Sequence, residues 1–570
     1  MMATVNSYGN VNDTDHERLA ARSKTRRRFA LIGISSIVLI AVVVATVVGV
    51  TQTNKGGSKS KDETKSISSS IKAVCNVTLY PDSCYNSLAP MVTSGDVKIQ
   101  DLYKLSVQVA ITELTKISNS FDAGKLNITD EKTVAAIQSC QELFSLALDH
   151  LNSSLTINNM NLHDAFADLR TWLSSAGTYQ ETCIDELESV SSGLSTVAGD
   201  SFKNSTEYIS NSLAMITSAD ESIDAMGKIG RRRRLMGFGG GDLPEWVSAN
   251  ERRLLQTPSV KADAVVAKDG SGKYKTIKAA LKDVPAKSKK RFVIYVKKGV
   301  YAENVRVEKT MWNVMFVGDG KDATIVTGSL NVVDGTPTFQ TATFAVFGQG
   351  FIARDMGFRN TAGAAKHQAV ALLTSADLAV FYRCKMSAFQ DTLYVHANRQ
   401  FYRECDIYGT VDFIFGNSAV VLQNCNILPI KPMAGQKITI TAQGKKDPNQ
   451  NTGIAIQNCN IRPGGNLAGV SSFLGRPWKD YSTTIVFNSV LDRFIDPKGW
   501  LPWIGDSAPK TIFYAEYQNT GLGAATKNRV KWVGLKLNLI ASQVQKFTVA
   551  PFTNGDKWIP ATGVPFKSGL

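Results

Sequence analysis

Two glutamines and two aspartates in the second half of the chain recur at nearly equal spacing. Gln368, Gln390 and Asp412 follow one another at equal steps of 22, and Asp391 precedes Asp412 by 21. If one coil of a repeating β structure has about that length, these side chains stack on neighbouring strands ~4.8 Å apart. Two carboxylates held so close cannot both ionise freely, so the pKa of one rises. The spacing therefore predicts a patch with an ionised carboxylate, a protonated carboxyl and two amide donors.

Such a patch can carry out acyl transfer without serine. The ionised carboxylate is a nucleophile, the protonated one is a general acid, and the amides stabilise an oxyanion. A serine–histidine triad is poorly supported, because the chain has no Gly-x-Ser-x-Gly motif and its second half has only His367 and His396. Because Gln390 and Asp391 are consecutive, a regular strand would point them to opposite faces. The hypothesis therefore requires a bend or bulge at that point.

The elements that would carry this patch are short β-rich runs separated by Gly, Asn and Asp. They lie at 292–296, 314–317, 343–347, 369–373, 378–382 and 420–422. The segments 422–427 and 456–461 also resemble each other, with Gln-Asn-Cys-Asn-Ile in common. Repeats near 20 residues with short strands predict a parallel β-helix, in which each coil stacks on the last.

The region from about 71 to 228 has a different, helical period. Its apolar residues recur at steps of three and four, which predicts amphipathic helices in an up-and-down bundle. Cys140 and Cys183 fall on apolar stripes and can meet as a disulfide in the bundle core. Cys75 and Cys84 flank a turn-like Tyr-Pro-Asp segment and can close a small hairpin. Buried free thiols are the alternative for both pairs.

An apolar run without charged side chains covers residues 29–50, directly after a basic tail at 1–28. A run of ~20 apolar residues is long enough to span a bilayer, and basic residues before it favour a cytoplasmic amino terminus. We predict a signal-anchor that sends the rest of the chain across the membrane, with a cleaved signal peptide as the alternative. The Ser/Lys/Gly-rich stretch 51–70 is typical of a linker.

Glycosylation sequons agree with translocation, and cysteines in a translocated chain favour disulfides over metal ligands. The candidate acceptors are Asn76, Asn127, Asn152 and Asn204. A second linker, 229–257, combines glycines with two basic clusters and is expected to be cut by a protease that recognises basic residues. These clusters consist of Arg231, Arg232, Arg233, Arg234 and Leu235, and of Arg252, Arg253, Leu254 and Leu255.

Positive charge is concentrated in residues 258–570. This part holds 39 Lys+Arg and 21 Asp+Glu, a net charge of +18, whereas residues 1–257 hold 25 and 28, a net charge of −3. Such asymmetry favours a polyanionic partner: nucleic acid, anionic membrane or acidic polysaccharide. Translocation argues against nucleic acid. No motif calls for a cofactor or a metal.

Four motifs in order resemble those of plant pectin methylesterases. They are 363–372, with Gln368-Ala-Val-Ala-Leu372, then 389–394, 409–416 and 474–478. The similarity runs from about residue 264 to the carboxyl end and implies a right-handed parallel β-helix. The helical part resembles the invertase/pectin methylesterase inhibitor family, on the segment 75–84 and the pair Cys140 and Cys183. Together the resemblances imply an enzyme made with an inhibitor-like pro-region, which either inhibits the enzyme or assists its folding and export.

The resemblance also implies a role for each residue of the patch. Asp412 would attack the methyl-ester carbonyl, and Asp391 would protonate the leaving methanol and then activate water. Gln390 and Gln368 would stabilise the oxyanion, while Arg476 would hold Asp412. The implied substrate contacts are Thr338, Gln368, Arg476 and Trp478. The implied disulfides of this part are Cys384 with Cys405 and Cys425 with Cys459.

The sequence thus predicts a multidomain protein with an all-α bundle at 71–228 and a β-helix at 258–570. The expected reaction is hydrolysis of methylesterified homogalacturonan to pectate and methanol, by a mature enzyme in the extracellular cell wall. One alternative is another pectin-acting β-helix, a lyase or a polygalacturonase, against which the four motifs argue. The other is a non-enzymatic protein, in which the bundle inhibits another enzyme and the β-helix only binds carbohydrate.

Overall fold

A computed structural model describes residues 68–92, 98–156, 162–230 and 261–570. The apolar run 29–50 and the basic clusters between 231 and 255 lie outside these ranges. None of the helices within them is long and apolar enough to cross a bilayer. The four sequon asparagines predicted after the anchor are all exposed, and their glycosylation stays a prediction.

The first part of the described chain is the predicted helical bundle. After helical turns at 68–75, its helices are α1 (Pro81–Leu88), α2 (Ile99–Ser120), α3 (Glu131–Leu155), α4 (Leu162–Val190) and α5 (Ser192–Gly230). Helix α3 begins at a capping carboxylate, because Asp130 accepts a hydrogen bond from the Thr133 N–H. Helix α4 packs on α3 and α5, and α5 also packs on α2. The apolar stripes meet in a core with perpendicular contacts among Phe121, Phe144 and Phe202.

Two disulfides close this bundle as the sequence predicts. Cys140 on α3 bonds Cys183 on α4, so the bridge ties these two packed helices at their buried faces. Cys75 bonds Cys84 and closes the hairpin that leads into α1.

The second part is a parallel β-helix built from three parallel sheets. The first sheet consists of β1 (Ala264–Val266), β2 (Phe292–Val296), β5 (Val314–Gly318), β8 (Ile352–Arg354), β11 (Ala379–Tyr382), β14 (Arg399–Arg403), β17 (Ala419–Gln423), β20 (Gly453–Gln457), β23 (Thr483–Phe487), β25 (Phe513–Tyr517) and β26 (Leu535–Lys536). The second, here the groove sheet, consists of β4 (Val305–Val307), β7 (Phe344–Val346), β10 (Leu372–Thr374), β13 (Leu393–Val395), β16 (Ile414–Gly416), β19 (Ile438–Gln443) and β22 (Ser472–Gly475). The third consists of β3 (Gly299–Ala302), β6 (Thr324–Gly328), β9 (Gly357–Asn360), β12 (Lys385–Ser387), β15 (Asp406–Gly409), β18 (Asn426–Pro429), β21 (Asn460–Ile461) and β24 (Val490–Leu491).

Short helices complete the β-helix. Helix α6 (Ile277–Leu281) contacts β1 and β4 in the first coil. The carboxyl-terminal helices are α7 (Ala541–Val544), α8 (Val549–Thr553) and α9 (Gly555–Trp558). They cover the outer, apolar face of the first sheet, where Val544, Val549 and Ile559 are buried. The sheets enclose an apolar core made entirely of residues from this part of the chain.

Coil length varies along the groove sheet. Leu372 pairs with Leu393 and Leu393 with Ile414, so each of these two coils advances the numbering by the predicted 21. The next step, from Ile414 to Thr441, advances it by 27, and the step from Thr441 to Gly475 by 34. Loops in the longer coils therefore lengthen the chain without changing the strand register.

The disulfides expected in the β-helix are wrong, because Cys384, Cys405, Cys425 and Cys459 are all free and buried. Each cysteine directly precedes the first residue of β12, β15, β18 or β21, and those first residues pair in register. The four thiols therefore form one column inside the coils. In-register side chains of parallel strands point the same way at ~4.8 Å, whereas a disulfide needs Cβ atoms ~3.8 Å apart.

Cysteine labelling tests this assignment. The chain has eight cysteines, two disulfides and four free thiols. Denatured, unreduced protein should add four iodoacetamide groups per chain by intact mass, and reduced protein should add eight. The folded protein, in which the four thiols are buried, is the control and should add none. Absence of label on the denatured, unreduced chain would show that the coil cysteines are bridged.

Candidate active site

All seven residues predicted to act on the substrate line one cavity of about 330 Å³ on the groove sheet. They are Thr338, Gln368, Gln390, Asp391, Asp412, Arg476 and Trp478. Each lies within six residues of a strand of the groove sheet, in coils that stack on one another. Stacking of neighbouring coils thus brings together residues that are far apart in the sequence.

The bend that the sequence requires between Gln390 and Asp391 is present. Gln368 and Gln390 form a parallel bridge between neighbouring coils, which stacks the two amide side chains. Asp391 then adopts a left-handed backbone with φ +62°, and its N–H donates to the Val411 carbonyl at 3.0 Å. A left-handed residue breaks the strict alternation of a strand, so consecutive side chains can reach the same cavity.

Asp412 is held by Arg476 through both carboxylate oxygens. Nε of Arg476 lies 2.9 Å from Oδ1 and 3.1 Å from Oδ2, and its Nη2 lies 2.6 Å from Oδ2. This forked, charge-assisted contact stabilises the ionised carboxylate and fixes its plane. Asp412 is also in a left-handed conformation, with φ +48°.

Thr439, on β19, is a contact of Asp412 that the sequence analysis missed. Its Oγ1 donates to Oδ1 of Asp412 at 2.6 Å and accepts from the Asp412 N–H at 2.9 Å. One buried hydroxyl therefore orients the carboxylate and also supports the left-handed backbone beneath it. Asp412 and Thr439 are 27 apart in the sequence, so a search for a period near 21 passes over this pair.

The two aspartates have different electrostatic surroundings. Burial and the negative charge of Asp412 raise the pKa of Asp391 well above its usual range, although Arg476 opposes this shift. No basic group forms an ion pair with Asp391 among the described residues, whereas Asp412 has the guanidinium of Arg476. The arrangement therefore gives a protonated carboxyl beside an ionised one, as an acid and a nucleophile require.

Trp503 is the second residue that the sequence analysis missed. The guanidinium carbon of Arg476 lies 4.2 Å from the centroid of its ring, and the rings of Trp478 and Trp503 are 6.3 Å apart. The stacking orients the guanidinium whose nitrogens bond Asp412. Both indoles line the cavity and offer flat apolar faces to a sugar ring.

Helix α4 of the bundle supplies another part of the cavity wall. Its residues there include Thr182, Asp185 and Glu186. Oε1 of Glu186 accepts a hydrogen bond from the Phe339 N–H at 3.0 Å, and Thr182 Oγ1 lies 2.8 Å from Nε2 of His396. The bundle and the groove sheet thus share one buried apolar and polar interface over the cavity.

Metal-dependent chemistry has no built site in the described residues. Across 68–92, 98–156, 162–230 and 261–570, no three His, Cys, Asp or Glu side chains cluster so that they could hold a metal ion. The chemistry discussed below uses only side chains of the chain itself.

The fold and the cavity together define a parallel β-helix with a carboxylate- and amide-lined cavity, joined to a helical bundle. The family model described as Pectinesterase matches residues 263–556, and the one described as Plant invertase/pectin methylesterase inhibitor matches residues 69–215. The chain belongs to the pectinesterase family and is a carboxylic ester hydrolase with a fused inhibitor-type domain.

Relatives match both parts of the chain. A protein of Arabidopsis thaliana named "Probable pectinesterase/pectinesterase inhibitor 46" is 55% identical over 99% of this chain and 100% of its own. "Pectinesterase 3" of Phaseolus vulgaris is 47% identical over 99% of this chain and 98% of its own. The solved structure of the carrot pectin methylesterase is 53% identical, with a TM-score of 0.54, over 55% of this chain and 100% of its own.

Thr439 gives a test of how Asp412 is positioned. A hydrogen bond to a charged group is worth about 1.5–3 kcal/mol, so Thr439→Val should lower kcat for ester hydrolysis about 10- to 100-fold. KM should change little, because Thr439 lies beneath the carboxylate and does not line the cavity. The assay uses residues 258–570, since the solved carrot chain consists of a matching unit alone.

Thr439→Ser is the matched control, because it keeps the hydroxyl and should recover most of the activity. Circular dichroism of both variants excludes a folding defect. Equal loss of activity in the two variants would show that the methyl group matters and the hydrogen bond does not.

Proposed function

We propose that the chain hydrolyses methyl esters of cell-wall homogalacturonan through a covalent aspartyl intermediate, and that its own bundle inhibits it. The observation that carries the first part is the cavity in which a protonated Asp391 lies beside Asp412, itself held by Arg476. Two stacked amides, Gln368 and Gln390, complete the wall. No base or metal from elsewhere is required.

The residues perform the reaction in two halves. A carboxylate oxygen of Asp412 attacks the ester carbonyl carbon, and the amides of Gln368 and Gln390 donate hydrogen bonds to the oxyanion that forms. As the tetrahedral species collapses, the proton of Asp391 goes to the departing methoxide, which leaves as methanol. Asp391, now ionised, takes a proton from water, and that water attacks the acyl carbonyl. Asp412 departs as a carboxylate, Asp391 is again protonated, and the product leaves as galacturonic acid, which gives its proton to the solvent and becomes galacturonate.

Asp412→Asn tests the nucleophile and the electrostatic coupling together. The variant of residues 258–570 should release no methanol from methylated pectin, because an amide is a poor nucleophile. Loss of the negative charge should also lower the pKa of Asp391, which burial alone still keeps above its usual range. Methanol assays and carbon NMR titration of the aspartate carboxyls measure the two effects.

Asp480→Asn, at an exposed carboxylate, is the control and should alter neither quantity. Turnover near that of the parent in Asp412→Asn would rule out the assigned nucleophile. Shortening of the polysaccharide chain without methanol would favour a lyase or a polygalacturonase instead.

The proposed inhibition by the bundle is based on the contacts that α4 makes beside the cavity. Lys479, next to Trp478, is paired with Glu181 at 2.7 Å and with Asp185 at 2.5 Å, and Glu186 reaches the backbone beside Thr338. These contacts lie directly beside Trp478 and Thr338, which we assign to the substrate. Burial opposes the charge on Lys479, but its two carboxylate partners outweigh that effect and raise its pKa. We infer that proteolysis in the basic linker 229–257 precedes full activity, and that the chain acts outside the cell after export.

Reversing the charges on α4 tests this inhibition. In the full chain, Glu181→Lys with Asp185→Lys places two cations against Lys479 and should raise methanol release at least tenfold, because like charges across an interface cost several kcal/mol. Asp200→Lys, on an exposed position of α5, is the matched control and should leave the activity low. An unmodified full chain already as active as residues 258–570 would contradict inhibition by the bundle.

A further inference from the structure

Residues 495–501 add one irregular strand to the groove sheet beyond β22. Ser472 on β22 forms a parallel bridge with Ile495, and Gly475 forms another with Trp500. The two bridges are three residues apart on β22 but five apart on the added segment, so the added segment bulges between them. A bulge of this kind bends the strand and changes the direction of the side chains that follow it.

The bulge leads to the tryptophan that stacks on the guanidinium of Arg476. Arg476 directly follows Gly475, and Trp503 comes three residues after Trp500, so the second bridge sets the register of both. Two backbone hydrogen bonds, of 2.8 and 3.0 Å, close this bridge. The Trp503 ring centroid then lies 4.2 Å from the guanidinium carbon of Arg476. A displaced bulge would therefore displace the ring from the guanidinium.

A buried ion pair supports the bulge. Arg529 donates to the two carboxylate oxygens of Glu516 at 2.8 and 3.0 Å, and both residues are at most 3% exposed. Nη1 of Arg529 donates to the Pro497 carbonyl at 3.1 Å. Glu516 also accepts a hydrogen bond from the Trp500 indole N–H at 3.1 Å. Gly499 lies between these two contacts with φ +72°, and a Cβ there would overlap the Arg529 side chain.

Stability alone does not explain a charged pair at this position. Taking two ions out of water is costly, and well-packed apolar side chains of similar volume are often as stabilising. The pair differs from apolar packing because a guanidinium and a carboxylate hold their hydrogen-bond partners in a fixed geometry. Two of the partners held here, the Pro497 carbonyl and the Trp500 indole, belong to the segment that leads to Trp503. The directional contacts of the ion pair therefore fix the backbone next to the active site.

We propose that three buried residues outside the cavity are positioning residues for ester hydrolysis, namely Trp500, Glu516 and Arg529. They fix the bulge so that the ring of Trp503 stacks on the guanidinium of Arg476. None of the three lines the cavity, so each acts through Trp503. The inference rests on the proposed function, because that guanidinium orients the proposed nucleophile.

Trp500→Phe in residues 258–570 tests this role; the core of this unit is self-contained and the carrot relative consists of the unit alone. The variant keeps an aromatic ring beside Tyr514 and loses the hydrogen bond to Glu516. Because bonds to charged groups are among the stronger ones, this loss should loosen the bulge and lower kcat on methylated pectin about three- to tenfold. Replacement of the indole by benzothiophene, which has nearly the same size but no N–H, should have the same effect and excludes a cavity as the cause.

A second background shows whether Trp500 acts through Trp503. Trp503→Ala should be slower than the parent but still measurable, because the hydrogen bonds of Arg476 to the proposed nucleophile remain. In that background Trp500→Phe should lower kcat no further, since residues in one network are not additive. The matched control is Trp558→Phe, which loses an indole hydrogen bond of 3.0 Å in α9 and should match its background. Equal loss from Trp500→Phe in both backgrounds, or no loss in the parent, would overturn the proposal.

The pH dependence of kcat/KM gives a readout that a general loss of stability does not move. Arg476 opposes the raised pKa of Asp391, so a displaced guanidinium lets that pKa rise further. Asp391 acts as an acid only when it is protonated, so the alkaline limb of the profile should move to higher pH in Trp500→Phe. A lowered kcat with the parent's pH profile would overturn the proposal.

Asp412→Asn separates this proposal from the function on which it rests. If the parent releases methanol, Asp412→Asn releases none and Trp500→Phe matches the parent, the positioning role is wrong while the assigned nucleophile stands. If Asp412→Asn is active, or the parent releases no methanol, the proposed function fails and this inference fails with it.

Discussion

Register between successive coils of the groove sheet is the constraint on which the rest of the molecule depends. Strands β10, β13 and β16 pair in register, so Asp391 and Asp412, each two residues before its strand, fall in one column, and Gln368 bridges to Gln390 beside them. Asp391 and Asp412 are left-handed, which costs ~1–2 kcal/mol for a residue with a Cβ. Each N–H nevertheless has an acceptor in the next coil, the Val411 carbonyl or the Thr439 hydroxyl. The coil that positions each aspartate also offsets its strain.

The same stacking separates the roles of the two carboxylates. Both are buried in one wall, but within the described residues the guanidinium of Arg476 hydrogen-bonds to Asp412 and not to Asp391, and Trp503 stacks on that guanidinium. Burial and a neighbouring negative charge both favour the protonated form of Asp391. One cation thus distinguishes the two carboxylates that we propose as acid and nucleophile. Arg476 follows β22, which lies two strands away from β16 in the groove sheet, so its position depends on the loop after that strand.

The sequence predicted what depends on period and motif. The coils of constant length, the cavity residues and the two bundle disulfides follow from spacing or from four local motifs. Thr439 and Trp503 were missed because the longer coils hide their register, and only the folded chain shows which residue of the next coil contacts Asp412. The prediction of disulfides between the coil cysteines was wrong for a related reason. Equal spacing shows that side chains are stacked, but not that their Cβ atoms have the separation and direction that a disulfide needs. The docking of α4 over the groove could not be predicted, because it depends on complementary surfaces and not on a periodic pattern in the sequence.

Burial of Glu186 makes the docking of α4 on the groove sheet depend on pH. In the docked bundle, burial raises its pKa from 4.5 to about 8, although the Phe339 N–H opposes the shift. A group whose pKa is raised on docking takes up a proton, so its contribution to docking is complete below pH ~4.5 and decreases as pH rises towards 8. The proposed linker cleavage acts on a different quantity, because it removes the high effective concentration of a tethered domain but leaves every interfacial contact in place. The contribution of Glu186 to docking in a cut chain is therefore largest at low pH.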